Sequence, residues 1–206
     1  MFNAFNAAIH AFLARAMVAL LLATAAGATL AGPVYRVSID TGSWSGSGYL
    51  NLTLTGLDNA TPITATVSNF KGSFGSERFT QGQVSGDVGS LLSLVQGPSF
   101  NELLQRIDFG GIFSFDVRFG IPAGSLDGSN FGVALVDAGR TAYAPGTSGD
   151  IAAIALMPGA ADASWAAQGI ASITEVPEPG SAAIVALGLL LAGCCRARNR
   201  PGRVTV

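Results

Sequence analysis

The chain has 206 residues, 27 of them glycine, with 12% charged residues and a formal net charge of −2. Its one histidine, His10, and both cysteines, Cys194 and Cys195, sit near the ends. The long stretch between therefore cannot build a His/Cys zinc site, a Ser-His-Asp or Cys-His nucleophile, or a disulfide.

Met1 to Arg15 carries one arginine, Ala16 to Ala26 is apolar, and small residues follow. That order predicts a signal peptide over residues 1–28, cut after Ala28 at the A-x-A pattern formed by Ala26 and Ala28, with Thr29-Leu30-Ala31 as a second site. An uncleaved membrane anchor is the competing reading.

From residue 32 to 175 the apolar pattern has period two, broken by glycine-rich turns, which is the strand signature. Val34 to Asp40 is a first strand, and Tyr49 to Thr55 sets Leu50, Leu52 and Leu54 against Asn51, Thr53 and Thr55. Ile63 to Phe70 follows and is closed by Lys71 to Ser76. Phe79 to Asp87 is polar and predicts an irregular or edge strand, Leu91 to Val95 a short one, and Phe100 to Arg106 reads as strand in preference to helix. Ile112 to Phe119 has the strongest alternation, Phe113, Phe115, Val117 and Phe119 on one face, and predicts a central strand. Phe131 to Asp137, Ile151 to Met157 and Ile170 to Glu175 complete the set. The expected fold is an all-β antiparallel β-sandwich, jelly-roll-like, of about seven to nine strands, with a helix in each flanking segment.

Twelve acidic residues stand against six basic ones in residues 32–175, a net of minus six. That balance argues against nucleic acid and anionic surfaces as partners, and leaves neutral sugars and cationic surfaces.

The chain closes on Val176-Pro177-Glu178-Pro179-Gly180-Ser181, an uncharged run from Ala182 to Cys195, and Arg196, Arg198, Arg200 and Arg203. As a helix the fourteen-residue run is about 21 Å long against roughly 30 Å of hydrocarbon, a marginal and removable anchor. The prolines keep their surroundings extended, as a protease requires, and the arginines act as the cytoplasmic stop. Residues 176–206 resemble a PEP-CTERM sorting signal, found on exported proteins of Gram-negative bacteria that make exopolysaccharide. The resemblance implies processing by a membrane transpeptidase, an exosortase, with Pro177, Glu178 and Pro179 as its recognition element. The tail departs from the usual pattern in the extra residues Pro201 to Val206 and in Cys194 and Cys195. A permanent tail anchor is the alternative. Tyr35 to Thr41, Gly48-Tyr49-Leu50 and Ser114-Phe115-Asp116-Val117 are similar to a small PEP-CTERM subfamily, which implies a fold and a destination rather than a reaction.

Paired carboxylates are the catalytic device left open, and Asp108 and Asp116, flanking the central strand, are the nearest candidates. Carboxylates at strand ends more commonly solvate turns. Asp127-Gly128-Ser129-Asn130 resembles a fragment of a calcium loop but supplies too few oxygens, so no metal and no cofactor are expected. Asn51-Leu52-Thr53 matches a glycosylation acceptor, a pattern that strand side chains also explain. Leu191-Ala192-Gly193-Cys194 spells a lipoprotein box at a position where almost nothing follows the cysteine. Trp44 and Tyr143 are candidate sugar contacts; Trp165 is expected in the core. The whole predicts a non-enzymatic, exported protein, tethered at the inner membrane, processed, and left with a structural or adhesive role in exopolysaccharide or biofilm. The alternative is a carbohydrate-binding module for the matrix polysaccharide.

Overall fold

The computed structural model describes residues 32–56, 62–97, 100–122, 124–125, 128–157 and 159–176. Within them are twelve strands: β1 (Val34–Asp40), β2 (Ser47–Gly56), β3 (Thr64–Lys71), β4 (Phe74–Gln81), β5 (Val84–Gly86), β6 (Leu91–Val95), β7 (Asn101–Asp108), β8 (Ile112–Gly120), β9 (Ser129–Asp137), β10 (Asp150–Leu156), β11 (Ala163–Ala166) and β12 (Ala171–Val176). All pairing is antiparallel. The first sheet runs β12, β1, β8, β3, β6, β5, and the second runs β11, β10, β9, β2, β7, β4. The chain passes repeatedly from one sheet to the other, so local segments contribute to both layers.

The inward faces follow the alternation in the sequence. Phe113, Phe115 and Val117 from β8, Leu50, Leu52 and Leu54 from β2, and Phe131, Val133 and Leu135 from β9 all belong to one buried cluster fed by both sheets. Phe119 of the first sheet meets Phe131 of the second edge to face, 5.8 Å between ring centres. Burying each such side chain stabilises the fold by about 1.5–3 kcal/mol. This is a β-sandwich-like arrangement without a disulfide, and its stability rests on that core.

Three differences from expectation have local causes. The strand count is twelve among the described residues rather than seven to nine. Phe79 to Asp87 is not one strand: the chain leaves the second sheet at Gly82, whose φ is +76°, and enters the first as β5. A side chain there would meet the Phe100 carbonyl at 2.6 Å, so glycine is required sterically as well. Polar β4 is an edge strand, and it begins only two residues after β3 ends, so Lys71 to Ser76 holds a tight turn. Finally, Ala163–Ala166 forms β11 beside β10 although its small residues carry no apolar alternation. The segment Phe100 to Arg106, read as strand in preference to helix, is covered by strand β7, which runs Asn101–Asp108.

Candidate functional site

Of the sorting residues, Val176 is described. It ends β12 and pairs with Val34, the first residue of β1. Pro177, Glu178, Pro179, Arg196, Arg198 and Arg200 lie outside the described residues, as do Ala26, Ala28 and the apolar run 182–195. Among the described residues no helix is long and apolar enough to cross a membrane.

The two candidate sugar contacts differ. Trp44 is half-buried, packs against the core, and meets Phe109 edge to face at 5.4 Å. Its backbone N–H donates to the Thr41 carbonyl, and the Thr41 hydroxyl donates to the Gly111 carbonyl, so this loop is fixed. Tyr143 is 51% exposed and forms a bridge opposite Val136. Trp165, expected in the core, is 52% exposed. It stands opposite Ala153, on the side of β10 that faces away from Ile154 and Leu156, so the strand phase turns it outward.

Asp108 and Asp116 do not form a catalytic pair. They lie in different sheets, and Asp116 alternates with inward Phe115 and Val117, so it faces away from the second sheet. Asp116 accepts two hydrogen bonds from Arg36, at 2.8 and 3.0 Å, and one from the Asn69 amide at 2.8 Å. The Arg36 guanidinium holds its carboxyl below the usual range, against an opposing effect of burial. In the calcium-like fragment, Asp127 lies outside the described residues and the Ser129 hydroxyl donates inward to Gln96. No group of three His, Cys, Asp or Glu side chains suited to a metal ion occurs among the described residues.

The outer face of the second sheet is organised differently. Tyr49, Ala134, Val136 and Ala153 are buried yet stand outside the core cluster, because they occupy the opposite face of the sheet. At one end Tyr49 donates its hydroxyl to Glu77 at 2.7 Å and packs against Phe79. Arg140, in the left-handed region at φ 57°, lays its guanidinium 3.7 Å from the centre of the Phe79 ring. The loop that presents Arg140 and Tyr143 is closed by Asp137, which accepts backbone N–H bonds from Thr141 and Ala142 and is held below the usual carboxylate range by them.

Along β9 the outward residues are small: Ala134, Gly132 and Asn130, with Ala153 and Ala155 beside them on β10. They make a shallow floor about 20 Å long at 3.4 Å per residue from Val136 to Asn130. The floor ends in a hollow of about 410 Å³ among Thr55, Asn130, Ala155 and Met157. Asp150 reaches onto this floor. Strict period two would put Asp150 on the inward side with Ala152 and Ile154. The register with β9 slips between Asp150 and Ala152, and Asp150 stands opposite outward Ala134 instead. Such slips re-aim side chains. A Cβ on Gly132 would lie 2.6 Å from both Asp150 Oδ2 and Thr53 Oγ1, so both oxygens crowd above that glycine. Burial alone pushes the Asp150 carboxyl above its ordinary value. On the next strand the Asn51 amide donates to Glu102 at 2.8 Å while its side-chain oxygen is buried without a partner.

The alternation rule could not find Asp150, because the register slip is not visible in it. Trp165 did leave a signal: it is the one large side chain in Ala163-Ser164-Trp165-Ala166-Ala167, where nothing else marks a core strand. No family model, curated protein or solved structure matches this chain.

Proposed function

We propose that the protein is exported through the inner membrane of a Gram-negative bacterium and tethered there by its C-terminal segment. An exosortase-like transpeptidase then processes it at Val176 to Pro179, and it reaches the cell surface or an exopolysaccharide matrix. Its β-sandwich, jelly-roll-like in the way the chain alternates between sheets, serves there as a non-enzymatic structural or adhesive element. The observation that carries this reading is the tail: Pro177-Glu178-Pro179, an uncharged run of marginal length, and a closing set of arginines. Val176, the first residue of the motif, is also the last described residue and lies at the end of edge strand β12, which is in keeping with it. The test is the intact mass of the protein recovered from the surface and medium of its host, with and without the host's exosortase. A C-terminus between Val176 and Pro179 that depends on the enzyme is expected; a mass retaining Arg196 to Arg203 in both strains would mean a permanent anchor.

A second reading, a carbohydrate-binding module for the matrix polysaccharide, is favoured by the half-exposed rings of Tyr143 and Trp165. Large aromatic side chains left in solvent beside a polar sheet face are characteristic of recognition surfaces.

A further inference from the structure

We infer that the outer face of the second sheet is a glycan-binding site, in which a neutral polysaccharide lies along β9, its hydroxyls bonded by Asp150, Thr53 and Asn51 and one ring stacked on Trp165. This assignment rests on the carbohydrate-binding reading and gives it a location.

Four observations converge on that face. First, its floor is small and already covered: Gly132, Ala134 and Ala153 are buried, with Asp150 and Thr53 closing over Gly132, so a ligand would rest on those polar side chains. Second, acceptors line it without donors of their own to satisfy them. The half-buried Asp150 carboxylate stands over Gly132 and accepts no hydrogen bond within the described residues. The Asn51 side-chain oxygen is likewise buried and unpartnered. Buried polar atoms normally find partners, and hydroxyl donors would supply them. Third, Trp165 stands opposite Ala153, so its exposed ring borders the same floor that Asp150 overhangs. Fourth, the charged side chains beside Gly132 and Thr53 are the carboxylates of Asp150 and Glu102, while Arg106 and Arg140 sit at the Tyr49 end of the face, so a polyanion is disfavoured over that part of the floor.

Other occupants fit less well. An extended peptide adds to a sheet through a free strand edge, but β9 and β10 are both paired on two sides. A metal ion would need more carboxylates than the described residues bring together.

Affinity electrophoresis of the full chain in detergent, through gels containing mannan, hydroxyethyl cellulose or galactan, with alginate as polyanion control, tests the assignment. Retardation by at least one neutral polymer and none by alginate is expected. Asp150→Asn and Trp165→Ala should each weaken it about tenfold, as expected for loss of a charge-assisted hydrogen bond or a ring contact. Trp44→Ala should leave it unchanged, and thermal melts confirm that each variant is folded. Retardation of the wild type that survives in folded Asp150→Asn and Trp165→Ala overturns the location but leaves the carbohydrate-binding reading standing. No retardation of the wild type by any neutral polymer overturns both.

Discussion

Each sheet carries one partly buried aspartate on its outer face, and the two are treated in opposite ways. In the first sheet, β3 slips register between Ser68 and Lys71, and the slip turns Asn69, at φ 55°, to donate to Asp116. With Arg36 across the strand, Asp116 is fully supplied with donors. In the second sheet the slip between Asp150 and Ala152 brings a carboxylate onto a floor of glycine and alanine, where it accepts no hydrogen bond among the described residues. The same backbone irregularity completes a structural ion pair in one place and exposes an unsatisfied acceptor in the other. A hydrogen-bonded charge such as Asp116 supports the fold; a half-buried carboxylate that gains no such bond contributes little to it and stays available to a ligand.

Substitutions break the comparison at graded strength. Gly132→Val should cost up to about 3 kcal/mol in urea denaturation, because the added carbons displace Asp150 and Thr53 or spread β2 from β9. A variant as stable as wild type would mean that Asp150 does not lie over Gly132. Asp116→Ala should cost about 2 kcal/mol, since the Arg36 and Asn69 donors lose their common acceptor. Asp150→Asn should do the reverse and leave stability unchanged or raised by up to about 1 kcal/mol. Trp165→Ala, removing an exposed ring, should stay within about 0.5 kcal/mol of wild type; a larger loss in a thermal melt would return Trp165 to the core.

Acidity separates the two aspartates by sign. The Asp116 carboxyl is held below its ordinary 3.8 by Arg36, so its contribution is present above 3.8 and lost as pH falls through its lower folded value. The Asp150 carboxyl is raised above 3.8 by burial, so its contribution is present below 3.8 and lost as pH rises through its higher folded value. In stability profiles from pH 2 to 7, Asp116→Asn should flatten the acid limb, and Asp150→Asn should remove a decline above pH 3.8. Identical profiles for the two variants would contradict the contrast.

Most of the layering was legible in the sequence, because Leu50, Leu52 and Leu54 or Phe113, Phe115 and Val117 alternate without interruption and the core is apolar. What escaped alternation lies where the backbone leaves the ideal strand. The crossing at Gly82 depends on a positive φ and a close approach to Phe100, neither of which hydrophobic pattern encodes. Asp150 changes face through a register slip that is a property of the pair β9 and β10, not of either segment alone. Tyr143 was a candidate contact and stands exposed, whereas Trp44 is held against Phe109 by long-range pairing of its loop. The tail motif, by contrast, is read from adjacent residues and needs no fold to be seen.

Urea denaturation of wild type and Asp150→Asn at pH 7 tests most directly whether Asp150 is held for a ligand rather than for the fold. The variant should unfold at the same or a higher urea concentration. A loss exceeding about 1 kcal/mol, the scale of an ordinary intramolecular hydrogen bond, would show that Asp150 supports the sandwich itself and would contradict the assignment of this face to a ligand.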